Sequence, residues 1–281
     1  MSNFGVPQYN LNSTYAADDR SQLVRSTWTW LDVARGLSSG VSTVKKFGRN
    51  YGVTSTYSPL CIGGVYPTPQ TGSTLRIKAG GDANDTAAGS GARQITIEGL
   101  DDSFNLISET IATAGASESF ATTAIFTRLF RFYVSESGTY ATASSGSHSG
   151  DIVIEDSAGV GDWGTIDSVD FPKSQSEVGA YSVPLSKTAF VKLRSLTIDS
   201  GKTVDVGLFS RSGIDQVSPP YDAMRTQSVV SGVSGGSIET FGSVDVPFGP
   251  YSGGTDIGFM AKVSSGTASV SVEFEVFLLD D

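Results

Sequence analysis

The chain has one cysteine, one histidine and few basic residues, and each scarcity closes off a class of chemistry. With Cys61 alone, no internal disulfide can form. Cys61 and His148 together fall short of the roughly four ligands of a structural zinc site. Lys and Arg number 19 against 29 Asp and Glu, a net charge of -10. The clustered cations that displace counterions from a nucleic-acid backbone are therefore missing. No apolar run reaches the roughly 18 residues needed to cross a bilayer, so no membrane role is expected. The opening Met1-Ser2-Asn3-Phe4-Gly5-Val6-Pro7 lacks the charged and apolar regions of a signal peptide, which predicts folding in a cytoplasm. Runs of Ala, Leu, Glu and Lys are scarce too, which disfavours a helical protein.

What the chain has in quantity is Gly, with 33 residues, together with Ser and Thr. That balance favours short strands and turns. Alternating stretches are predicted at 53–57, 74–78, 94–98, 106–112, 126–134 and 151–155. A second set is predicted at 179–183, 188–196, 203–210, 237–241, 256–262 and 268–279, each bounded by Gly, Ser, Asn, Asp or Pro. The last is the clearest. Val270, Val272, Phe274, Val276 and Leu278 share one face, while Ser271, Glu273 and Glu275 share the other. Phe277 interrupts the polar face and predicts cover on both sides there.

Residues 22–36 read two ways. Leu23, Thr27, Trp30, Leu31 and Ala34 suit a helical stripe, while Trp28-Thr29-Trp30 suits a strand that turns helical near 32–35. Charge is uneven: residues 1–60 carry +3 and the remainder -13. A mildly basic arm ahead of an acidic body suits docking onto a neighbour, although polar arms are often charged in this way. The pattern predicts an all-β chain with an N-terminal arm or assembly segment at 1–46. Two antiparallel, jelly-roll-like β-sandwich domains follow at 47–165 and 166–281.

Residues that carry chemistry elsewhere have plain readings here. His148 lies in a Ser/Gly tract with Asp151 nearby, but a triad needs an imidazole held by packing. It reads as an exposed loop histidine. Cys61, between Leu60 and Ile62, reads as a small buried hydrophobe. Gly80 to Gly91 looks like a phosphate cradle until the residues after it are read. Arg93-Gln94-Ile95-Thr96-Ile97-Glu98 alternates as a strand, whereas phosphate loops feed a helix.

Asp82-Ala83-Asn84-Asp85-Thr86 begins like a calcium loop, but Ala87 and Arg93 stand where Gly and Glu are needed. Turn chemistry is the favoured reading, with Arg93 pairing locally or reaching a neighbouring subunit. Adjacent carboxylates such as Glu155/Asp156 and Asp101/Asp102 point to opposite faces of a strand, so neither pair suits glycoside cleavage. Asn12-Ser13-Thr14 and Asn84-Asp85-Thr86 fit the glycosylation pattern without a secretory context.

Two blocks of motifs carry a resemblance. The first is Gly48-Arg49-Asn50, Gly63-Gly64-Val65-Tyr66-Pro67, and the run from Asn84 through Arg93 to Asp101. The second is Ala180-Tyr181-Ser182-Val183-Pro184, Thr188-Ala189-Phe190-Val191, the run from Lys202 to Arg211, and Thr255-Asp256-Ile257. Together they resemble a family of virion structural proteins from tailed bacteriophages, over 47–281.

The resemblance implies a β-rich particle component, on head or tail, with no catalytic residues and no cofactor to carry over. The expected location is the virion, after synthesis in the host cytoplasm. The expected partners are other virion proteins and further copies of the chain, with a trimer as first guess. Trp28, Trp30, Arg35, Arg49 and Arg93 are the expected assembly contacts, aromatic anchors being frequent carriers of interface energy. The alternative is a receptor module that binds a host-surface glycan through exposed aromatics and carboxylates, for example at Tyr140 or Tyr251. A glycan-cleaving spike with convergent acids comes third.

Overall fold

A computed structural model describes residues 32, 33, 35–142, 145–168, 174–238 and 247–281. Trp28 and Trp30, and nearly all of the expected arm ahead of residue 32, lie outside the described residues.

The protein is all-β and its sheets are antiparallel. Two three-stranded sheets close one core. The first consists of β3 (Leu75–Ile77), β7 (Ile152–Asp156) and β8 (Asp162–Ile166), with β7 in the middle. In the second, β4 (Ala92–Leu100) runs between β5 (Leu106–Ala112) and β6 (Arg128–Ser137). Alternation on β4 sends Ile95 and Ile97 inward against Leu75, Ile154, Phe132 and Trp163. Gln94 and Glu98 point the other way.

The other core is a single eight-stranded sheet folded over on itself. Its spine is β10 (Lys187–Arg211), which joins two stretches that sequence alternation predicts as separate strands. Residues 187–198 of β10 pair with β14 (Ala268–Asp280), and residues 204–211 pair with β13 (Asp256–Val263) along the same edge. Between them, residues 199–202 bulge out of the ladder with β11 (Arg225–Ile238) on the opposite edge. The bulge folds the sheet so that β13 and β14 face one another, with the rings of Phe259 and Phe274 5.1 Å apart. Val270, Val272, Phe274, Val276 and Leu278 are all buried in this core, as their alternation predicts, and Phe277 is buried as well. Three short strands complete the sheet: β2 (Ser58–Pro59) and β9 (Ala180–Ser182) on β13, and β12 (Phe248–Tyr251) on β10.

β1 (Val41–Val53) runs through the expected 46/47 boundary and pairs with β14 from Val41↔Leu279 to Val53↔Ala268. The stretch 41–46 thus belongs to a sheet completed by the far end of the chain. Its inward row hides the strand from sequence reading. Lys46, Gly48 and Asn50 are buried, while Phe47 is exposed. Gly48 is dictated by a crossing: a Cβ there would sit 2.0 Å from the Leu60 carbonyl oxygen and 2.2 Å from the Gly179 nitrogen.

Candidate functional site

The two cores meet along a seam built from β1, β6, β9 and β13, and its two ends differ. At one end, Arg128 opens β6 and Asp256 opens β13, and both are buried. Arg128 Nε and Nη2 donate to Asp256 Oδ1 and Oδ2 at 2.8 and 3.1 Å. Arg128 Nη1 donates to the carbonyls of Pro69 (2.9 Å) and Thr127 (2.7 Å). Asp256 also accepts from Ser182 Oγ at 2.6 Å and from Arg211 Nη2 at 2.8 Å. The hydroxyls of Ser182 and Tyr66 lie 2.9 Å apart. Burial, and then the Asp256 charge, pushes the Tyr66 phenol far above its ordinary range. A two-pronged pair with its remaining donors and acceptors engaged is the geometry in which a buried ion pair holds two elements together.

At the other end the seam opens into a cleft of about 700 Å³. Residues 42–47 of β1 form one wall, and Glu98, Leu106, Ile107 and Arg131 form the other. Phe130 and Tyr181 close the floor, their rings stacked at 4.4 Å with 27° between planes. The buried Lys46 ammonium donates to the Phe130 carbonyl at 2.5 Å. Burial brings the Lys46 amine down to about 8. Across from it, Arg131 and Glu98 share two hydrogen bonds at 2.8 and 3.2 Å. A cleft of this size at the junction of two cores, apolar with a few fixed charges, is the usual form of a binding site.

The glycine-rich loop serves the framework. Asp82 Oδ1 accepts the Asn84 N–H at 2.8 Å, an Asx turn. Asp85 is buried, and its carboxylate accepts the N–H groups of Ala92 (2.7 Å), Ser149 (3.0 Å) and Gly150 (2.8 Å). A Cβ on Gly91 would lie 2.0 Å from Asp85 Oδ1, so only glycine admits the carboxylate. Asp85 thereby pins the tract containing His148, which corrects the expectation of an exposed histidine. His148 is 4% exposed, with Nδ1 2.8 Å from the Gly150 carbonyl oxygen and Nε2 unpartnered.

Of the expected contacts, Arg93 pairs locally, donating to the Gly89 carbonyl at 2.9 Å and lying 3.9 Å from Glu136. Arg49 lies 3.5 Å from Glu177 and donates to the Tyr51 hydroxyl at 3.2 Å. Arg35 is exposed on the turn before β1. The three arginines are not brought together.

Cys61 is buried, and burial pushes its thiol up to about 12. Glu155 pairs with Arg76 at 2.9 Å. Burial pushes the Asp156 carboxyl up, but the N–H groups of Val160, Gly161 and Ala158 outweigh this and hold it below the ordinary range. Asp101 accepts from Ser103 and Asn105 at 2.9 and 2.8 Å within its own turn. Among the described residues, no group of three or more His, Cys, Asp or Glu is placed to hold a metal ion. Tyr140 is exposed, whereas Tyr251 packs in the larger core.

The Arg128–Asp256 pair and the Lys46 cleft escaped sequence reading. The only available signal was a charge interrupting an otherwise apolar strand.

No family model and no curated protein matches the chain. Among solved structures it is similar to a chain of "Structure of infectious bursal disease virus Gx strain" at 10% identity and a TM-score of 0.23, over 85% of this chain and 71% of that one. A chain of "Structure of infectious bursal disease virus Gt strain" is similar at 9% identity and a TM-score of 0.24, over 86% and 73%. Both neighbours come from structures of a virus. At TM-scores this low, neither establishes a family or a role.

Proposed function

We propose that the protein is a non-enzymatic structural component of a bacteriophage virion, joining the particle as a capsid-decoration or tail-associated protein. One observation carries the reading: the residues behind the sequence resemblance are engaged in the framework. Gly48 admits a chain crossing. Asn50 Nδ2 donates to Ser58 Oγ and to the Pro59 carbonyl. Asp85 pins a loop by backbone N–H groups, and Asp256 ties one core to the other. Motifs occupied in this way suit a protein whose product is a shape.

Its mechanism is surface burial. The two cores form a rigid body, and the N-terminal segment with Trp28, Trp30 and Arg35 reaches other copies or other virion proteins. The deletion that tests this must spare β1, because Val41–Val53 is part of the large sheet. Removing residues 1–31 is expected to leave a folded, soluble protein that no longer enters particles. Incorporation at the wild-type level would overturn the anchoring role. Absence of the intact protein from purified particles, read by mass spectrometry, would overturn the virion reading.

A receptor role has a narrower basis. Tyr140 stands 91% exposed, and a polar cleft of about 170 Å³ gathers Asp222, Arg225, Gln227 and Ser252. Those side chains offer the mixed donors and acceptors that sugar hydroxyls require. A glycan array without a hit removes this reading.

A further inference from the structure

We propose that the outer edge of β11 is a contact surface between two copies of this chain, paired antiparallel about a two-fold axis. The proposal rests on the assembly reading above only for its setting in a particle.

β11 pairs with β10 along one side, and among the described residues no strand pairs with its other side. Native proteins guard such edges with Lys, Pro, inward charges or a covering element, because unpaired N–H and C=O groups invite another strand. β11 has few of these guards. After Arg225 its remaining thirteen residues, Thr226 to Ile238, contain no charge and no proline. On a molecule of net charge -10, an uncharged strip is where a second acidic copy can approach with the least repulsion.

The ladder slips twice within β11, once opposite Leu208/Phe209 and once opposite Val204/Val206. Such irregularities bend an edge and oppose open-ended stacking. An identically bent edge related by a two-fold still fits, and it closes the assembly at two.

A strand edge alone is small against the about 800 Å² per partner of a stable interface. The remainder lies next to it. Val217 (82% exposed), Tyr221, Met224 and Val229 are large, solvent-exposed apolar residues within a single stretch leading into and along β11. Val229 stands opposite Gly207, which has no side chain to cover it. Apolar residues gathered in this way mark interaction surfaces, whereas single scattered ones do not.

The test uses the full chain. Sedimentation velocity over a range of concentrations is expected to give a dimer mass, and dilution is expected to speed amide exchange in 226–234. Val229→Glu and Met224→Glu, two independent substitutions, are each expected to give a monomer with wild-type circular dichroism. A monomeric wild type, a trimer, or variants that keep the dimer mass would each overturn the proposal. Probing purified particles for the two variants separates it from the virion reading. A monomeric variant still found in particles leaves that reading standing, while absence of even the wild type defeats it alone.

Discussion

The two ends of the seam use charge in opposite ways. At the Arg128–Asp256 end, two full charges are buried and each is met by several hydrogen bonds. At the cleft end, one cation, Lys46, is buried against a single carbonyl oxygen, and the Arg131–Glu98 pair stands partly in water. The first arrangement fixes how β6 sits against β13. The second leaves a space between the same two cores. The difference teaches that the cores are held by one strong attachment and otherwise touch loosely enough for a cleft to remain.

The largest effect is expected at the closed end. Asp256→Ala leaves Arg128 buried without a counter-charge and should cost about 3–5 kcal/mol, the usual loss when one partner of a buried pair is removed. A urea melt reads this as a lower midpoint with little change in slope. Replacing both partners, Arg128→Met with Asp256→Leu, should recover most of the loss, since a well-packed apolar pair often does as well as the ions. If the double variant is as unstable as the single one, the Pro69, Ser182 and Arg211 contacts matter more than the pair itself.

Lys46 gives the next effect, and its sign is opposite to that of a paired lysine. Burial holds its amine near 8 in the folded protein, below the ordinary 10.5. Between those pH values the unfolded chain binds the proton and the folded one does not, so this residue makes stability rise with pH. The full difference is about 3 kcal/mol at about 1.4 kcal/mol per pKa unit. Cys61 acts in the opposite sense, because its thiol is raised to about 12 from 9.0 and the folded state then keeps the proton longer. The informative quantity is therefore wild type minus Lys46→Met. That difference in unfolding free energy should rise from pH 8 to pH 10.5. Parallel pH curves for the two proteins would show that water reaches the Lys46 ammonium.

How much of this was legible depends on where each residue sits. The strand at 106–112 has the predicted bounds, and the buried row of β14 is the one that alternation selects, because both have one face on an apolar core. β1 was not legible because its inward row, Lys46, Gly48 and Asn50, faces the seam and is satisfied by backbone and hydroxyl partners. Alternation therefore pointed to Phe47, which is exposed. β8 was missed inside a glycine-rich stretch that resembled a linker, although Trp163 packs in the smaller core. His148 was misread because the partner that orders its loop, Asp85, is 63 residues earlier in the chain. The calcium-like and phosphate-like readings of 80–91 were discounted correctly, on the strand that follows. Arg128 and Asp256 are 128 residues apart, and no local pattern links them.

The smallest expected effect tests the open wall of the cleft. Glu98→Gln removes the charge that faces Arg131, and with the Arg131 side chain about half exposed the pair should be worth about 0–1 kcal/mol. Salt should erase most of even that, since screening acts strongly on exposed charges. Set beside Asp256→Ala, the measurement asks whether the two ends really differ. A thermal melt at low and high salt that shows a loss well above about 1 kcal/mol, unchanged by salt, would mean that Glu98 and Arg131 are sealed from water in solution. The cleft would then be closed in the free protein, and the contrast between its ends would belong to a different state of the molecule.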